Sequence, residues 1–145
     1  MNTINRMRQK VMIIGNRLHS KGLTLSQALK RAWIIIKAGI KTKVKGVTRQ
    51  PNAQRALQRL TAYSHNEIII GLKRDTGNLY DSNAVEVYAG VKNKGIVKIG
   101  YLPSPLVYII APLLDMGQRI KAAYGEIRGK YKPYMNLGIE IKLTV

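Results

Sequence analysis

The apolar positions of the first forty residues recur at steps of three and four. Ile4, Met7, Val11, Ile14 and Leu18 mark one face of a helix running from about residue 3 to residue 20. Arg6, Lys10, Arg17 and Lys21 lie largely off that stripe, and Gly22 is suited to stop the helix. Thr24 and Gln27 have capping-box spacing, so a second helix is expected to begin there. Its stripe is Leu25, Ala28, Leu29, Ala32, Trp33 and Ile36, with Lys30, Arg31 and Lys37 on the remaining surface and Gly39 at its end. Together they predict a helical hairpin, read as a packing arm in preference to a DNA-reading helix-turn-helix. Trp33, on the apolar stripe, is expected in that packing.

From Ile40 the period changes. Residues 42–48 have strand character, and 51–60 read as a short helix with Pro51 near its start. Strands follow at 67–73, 84–89 and 96–102, with a turn at 93–95. Ser104 as N-cap and Pro105 as first residue open a helix over 106–116, which Gly117 ends. Pro112 inside it removes a backbone hydrogen bond and is expected to kink it. The last strands are 120–127 and 137–145. The expected class is α+β: a small, OB-like, partly closed barrel of five or six strands with two short helices, at 42–145, preceded by the hairpin at 1–41.

Composition sharpens this picture. The chain of 145 residues suits one domain, and 46 % apolar residues are enough for a core. Lys and Arg total 25 against 7 Asp and Glu, a net charge of +18. The first 66 residues hold 14 Lys and Arg and no Asp or Glu, so they carry +14 of that charge. With no local carboxylate to pair with, these cations read as a docking surface for a polyanion, either nucleic acid or an anionic membrane.

Other classes fall away. Without cysteine there is no disulfide framework and no thiolate metal site, and His19 and His65 are too few for a histidine cage. No metal or other cofactor is expected. The longest apolar run, 106–114, is about half of a membrane span. Arg6–Lys10 could pass for the basic end of a signal peptide, but the apolar stretch 11–14 is too short. A cytoplasmic location is compatible with the absence of cysteine and is the one expected. There is no nucleophile motif, Walker loop or metal-ligand spacing. Asp75, Asp81 and Glu86 are close in sequence but have no base beside them, so the chain is read as non-catalytic.

There are eight Tyr, one Trp and no Phe. Tyr131 and Tyr134 interleave with Lys130 and Lys132 on the loop between the last two strands, an arrangement that stacks bases and neutralises phosphates. Tyr88 and Tyr108 are read as structural tyrosines with one wet end.

The stretch DTGNLYDSNA at 75–84, followed by IGYLP at 99–103, resembles the HIRAN domain. That family shows an N-P-Y-D-x-N-A loop between two strands, then a V-G-Y-L-P strand end and a Leu- and Ala-rich helix ending in Gly, here LVYIIAPLLDMG. Upstream, GVTRQPNAQRALQRL is similar to the family's first strand and Arg/Gln-containing helix. The resemblance spans about 42–145. It implies an OB-like barrel that binds DNA, notably single-stranded 3′ ends. By that match Tyr80 would pack on the terminal nucleotide, Asp81 would accept a hydrogen bond from the 3′-hydroxyl, and Tyr101 would contact base or phosphate. Leu79 stands in place of the family's Pro, and Ser104 in place of a phosphate-contacting Lys. Taken as residues alone, Asp81 and Asn83 could instead bond nearby amides and hold the loop, and Tyr80 could close the end of the barrel.

The resulting expectation is a DNA-binding protein that prefers single strands or 3′ ends. Its candidate contacts are Tyr80, Asp81, Tyr101, Lys130, Tyr131, Lys132 and Tyr134, with Arg6, Lys10, Arg17, Lys30, Arg31 and Lys37 on the hairpin. RNA is an alternative polyanion. A rival reading is a phage or mobile-element inhibitor of a host nucleoprotein such as a CRISPR effector, docking on its RNA or DNA. A third is attachment of the hairpin to an anionic membrane.

Overall fold

The Asn2 side chain accepts the amide of Asn5 at 2.9 Å and starts α1 (Thr3–Ser20). The capping box at Thr24 and Gln27 is formed in both directions, at 3.2 and 3.1 Å, and opens α2 (Leu25–Ala38). Gly39 ends α2 at φ 73, and a Cβ there would lie 2.5 Å from the Leu143 carbonyl oxygen, so glycine alone lets the chain pass into the first strand. The computed structural model describes residues 2–129 and 136–145.

The remaining elements are β1 (Ile40–Lys43), α3 (Ala53–Leu60), a 3₁₀ turn (His65–Glu67), β2 (Ile68–Arg74), β3 (Val85–Val91), β4 (Ile96–Tyr101), α4 (Ser104–Asp115), β5 (Lys121–Arg128) and β6 (Gly138–Thr144). The class is α+β, as the sequence predicts. The strands form two antiparallel three-stranded sheets, in the orders β1-β6-β5 and β2-β3-β4. Among the described residues a single bridge joins them. Lys45 and Tyr101 exchange amide and carbonyl bonds of 2.7 and 2.9 Å. Gly100 permits that approach, because a Cβ there would stand 2.2 Å from the Lys45 carbonyl oxygen. The arrangement is OB-like, and its two sheets are not closed into one barrel.

Two expectations about element ends are corrected. The first strand covers 40–43, not 42–48. Beyond Lys43 the chain keeps the bond from the Val44 amide to the Ile139 carbonyl, 3.1 Å, and the Lys45 bridge, and then turns at Gly46, φ 78. The N-cap of α4 is Pro103, and Ser104 is already helical, with its hydroxyl directed to Asp81.

Between the sheets, Leu57, Val85, Val87, Ile99, Val107, Ile110, Ile141 and Leu143 form the main core. A second cluster, Val11, Ile14, Ala32, Ile109 and Leu113, packs the hairpin on the other side of α4. This explains why α4 is apolar nearly all round: it has two faces to bury. Trp33 is not part of that packing. Its side chain is 37 % exposed, with the Lys37 ammonium 5.8 Å from the ring. The hairpin helices meet through Gly15, Ala28 and Ala32. A Cβ on Gly15 would come within 2.9 Å of the Leu29 side chain, and a seam that tight excludes an indole. Among the described residues, no helix is long and apolar enough to cross a membrane.

Candidate nucleic-acid interface

The segment 75–84 leaves β2 and returns as β3, and its shape is held by side chains. Asn78 Oδ1 accepts the amides of Tyr80 and Asp81, both at 2.9 Å. Asp81 Oδ1 accepts the amide of Asn83 at 2.8 Å, and its Oδ2 accepts the Ser104 hydroxyl at 3.2 Å. Such Asx turns satisfy backbone donors that a tight loop would otherwise leave bare. Arg74, at the end of β2, clamps the far side. Its guanidinium donates to both oxygens of Asp115 at the end of α4, at 2.8 and 3.3 Å, and to the carbonyls of Ala84 and Ser82, at 2.8 and 3.0 Å. All this bracing leaves two apolar-bodied side chains standing out. Leu79 is 94 % exposed and Tyr80 is 98 % exposed. Tyr80 therefore does not close the end of the sheets.

At the foot of the loop, Asp75 Oδ2 accepts the Asn78 side-chain amide and the Tyr101 hydroxyl, both at 3.1 Å. Lys98 donates to the Tyr101 oxygen at 2.6 Å, lies 4.4 Å from its ring, and faces Glu86 at 3.7 Å. The Asn78 bond, helped by Tyr101 and the Lys98 charge, holds the Asp75 carboxyl below its usual range against partial desolvation. The Tyr101 bond and the neighbouring Glu86 push the Lys98 ammonium up. Tyr88 donates to Glu86, and that bond raises its phenol. Tyr101 is thus half-buried, with its hydroxyl engaged inside this network.

Next to the loop lies a groove of about 1030 Å³ between the hairpin and the start of α4. Asp81, Asn83 and Ser104 line one side; Lys21, Arg31 and Lys41 line another; Ile34, Ile35, Leu106 and Ile109 supply apolar surface. Tyr108 also borders it. Arg17 and Lys21 sit 4.5 and 4.4 Å from the centre of its ring, and its hydroxyl shares a 2.7 Å hydrogen bond with Ser20. The Ser20 bond and the two cations lower the Tyr108 phenol from its ordinary value. A second cleft, of about 550 Å³, is lined by Arg6, Gln9 and Lys10 of α1 and by 116–119, which includes Arg119.

The candidates from the sequence therefore separate. Tyr80 and Asp81 share the loop, and Tyr101 stands at its foot. Arg31 reaches the groove with Lys21, Arg17 lies on Tyr108, and Arg6 and Lys10 line the second cleft. Lys30 and Lys37 are exposed on α2 and line neither space. Lys130, Tyr131, Lys132 and Tyr134 lie outside the described residues. Sequence reasoning missed Arg74, whose place depends on an aspartate 41 positions away. Tyr108, read from the sequence as a structural tyrosine with one wet end, is half-buried with its hydroxyl on Ser20 and also borders the groove. No group of three or more metal-ligating side chains occurs among the described residues.

The HIRAN domain model matches residues 40–145, which leaves α1 and α2 outside the match. Among solved structures, the chain is similar to the crystal structure of a protein from Lactobacillus plantarum. The two are 23% identical, with a TM-score of 0.53 over 71% of this chain and 87% of that one, a likeness of fold. Comparison with curated proteins gives no match.

Proposed function

From the premise that the chain belongs to the HIRAN domain family, a family of DNA-binding modules, we propose that it binds the end of a single DNA strand at the β2–β3 loop, without catalysis. The observation that carries this reading is Tyr80. An aromatic ring 98 % exposed has a free face, and the braced backbone beneath it leaves the loop little conformational freedom to lose on binding. Rings of that kind stack on bases, and stacking tolerates any sequence. Asp81 and Ser104 beside it offer a carboxylate and a hydroxyl to a terminal sugar.

In this reading the +18 charge supplies most of the affinity through phosphates, so binding weakens steeply with salt. The two helices before Ile40, expected from the sequence as an arm of residues 1–41 on a module of 42–145, act as a basic arm on a module that begins at β1, and the protein works in the cytoplasm.

The test is fluorescence anisotropy with a labelled single-stranded oligonucleotide. Tyr80→Ala is expected to weaken binding by about 1–3 kcal/mol, the usual worth of one stacked base. Unchanged affinity in a folded variant would remove the loop from the interface.

A further inference from the structure

We propose that the face of α1 carrying Arg6, Lys10, Arg17 and Lys21 is a track for the DNA backbone, leading away from the loop along the seam between α1 and α4. This rests on the DNA-binding reading above and extends it to a part of the chain that the family match does not cover.

The four cations are spaced four, seven and four residues apart. At 3.6 residues per turn they fall within an arc of about 60°, and at 1.5 Å per residue they span about 22 Å. The seam beside them is made by Val11 and Ile14 of α1 against Ile109 and Leu113 of α4. At one end Arg17 and Lys21 rest on Tyr108, and Lys21 lines the groove that Asp81 and Asn83 also line. At the other end Arg6 and Lys10 share a cleft with Arg119. The row therefore starts where the loop holds the strand end. Its length would take about six phosphates at the B-form spacing of about 3.4 Å per strand, and fewer on an extended single strand.

Two further observations point to a polyanion. Among the described residues none of these five cations forms an ion pair, and α1 contains no acidic residue. Like charges four apart within the helix also oppose it, as Arg6 and Lys10 do. A phosphate backbone along the row relieves that repulsion. A membrane fits less well, because Val11 and Ile14, the apolar face that a surface-lying helix would insert, are already buried against α4.

The experiment uses the full chain, with labelled oligothymidylates of three and twelve nucleotides bearing free 3′-hydroxyls, titrated with salt. Two row variants, Arg6→Gln with Lys10→Gln and Arg17→Gln with Lys21→Gln, are compared with a control of equal charge loss in the β3–β4 turn, Lys92→Gln with Lys94→Gln. Circular dichroism checks each fold. Each row variant is expected to flatten the log–log salt slope on the twelve-mer by about 1.4, at about 0.7 per lost contact. Arg6→Gln with Lys10→Gln, far from the loop, is expected to leave three-mer binding unchanged, and the control to keep the wild-type slope. If the Arg17 and Lys21 pair proves necessary for folding, the Arg6 and Lys10 pair alone decides. Row variants with the slope of the control would overturn the track while leaving the DNA reading standing. A wild-type protein that binds neither oligonucleotide would overturn both. Binding to phosphatidylcholine–phosphatidylserine vesicles that the row variants abolish, with DNA binding untouched, would reassign the row to a lipid surface.

Discussion

Ser20 and Tyr108, 88 positions apart, share a 2.7 Å hydrogen bond that fastens the end of α1 to the first turns of α4. Arg17 and Lys21, one turn apart, rest on the same tyrosine ring. This contact is wet, so each part of it is worth little alone. Its consequence is geometric: it sets the cations of the hairpin against the groove beside the loop. The energy that holds the hairpin down comes from Ile14 and Leu113, both fully buried, each less than about two helical turns from that contact.

That division predicts unequal costs for two apolar residues of the hairpin. Ile14→Ala is expected to destabilise the protein by about 2–5 kcal/mol, the range for deleting a buried aliphatic side chain. Trp33→Ala, at a partly exposed side chain outside that cluster, is expected to cost less than Ile14→Ala despite its larger volume. Urea unfolding of both variants checks the order. A larger loss at Trp33 would mean that the indole, not Ile14, anchors the arm.

Arg74 should matter to binding without touching DNA. Its planar fork meets Asp115 through two bonds and the loop carbonyls through two more. Lysine, with a compact charge, cannot reproduce that pattern. Arg74→Lys is expected to cost about 1–3 kcal/mol of stability. It should also speed hydrogen exchange through residues 76–83 and weaken oligonucleotide binding with little change in salt slope. A slope reduced by a full contact would show that Arg74 meets phosphate directly.

Asp75 sets an acid limit on the loop. Its carboxyl titrates below the ordinary 3.8 in the folded state, chiefly through the Asn78 bond. A depressed folded pKa stabilises above the unfolded value, and that contribution is lost as pH falls through the folded one. Thermal unfolding of wild type and Asp75→Asn between pH 6 and pH 3 should therefore give a stability difference that is constant above about pH 5 and shrinks below about pH 4. A difference independent of pH would exclude Asp75 as the titrating group.

The hairpin and the strands were legible because their signals are local. Thr24 and Gln27 form the capping box that their spacing predicts, and β3 alternates buried and half-buried positions from Val85 to Val91. The loop motif around Tyr80 was legible for the same reason. Contacts between distant segments were not. A stripe of six apolar residues on α2 could not show that Gly15 and Ala32 bring the helices too close for Trp33. Ser104 reads as a cap until Asp81, 23 positions earlier, takes its hydroxyl. An all-apolar α4 reveals that it is buried, but not which of its faces meets the hairpin and which meets the sheets.

Asp81 poses the sharpest question at the site, because a carboxylate beside a polyanion repels it. In the folded loop its two oxygens accept the Asn83 amide and the Ser104 hydroxyl. The first of these is structural. The second bond is 3.2 Å long and opens on the groove, so an incoming hydroxyl could replace Ser104 there. Replacing the carboxylate with an amide separates the two roles. Asp81→Asn keeps an oxygen for the Asn83 amide, and its new N–H can donate to Ser104, so the stability loss should stay within about 0.5–1.5 kcal/mol. If Asp81 reads the strand end, wild type should bind a free 3′-hydroxyl more tightly than a 3′-phosphate, and Asp81→Asn should narrow that ratio by relieving the repulsion. Ser104→Ala, which frees the second oxygen, should preserve or widen it. Competition between the two oligonucleotides for each protein measures the ratio directly. If Asp81→Asn loses stability while the ratio stays at the wild-type value, the carboxylate only holds the loop, and end recognition has to come from Tyr80 alone.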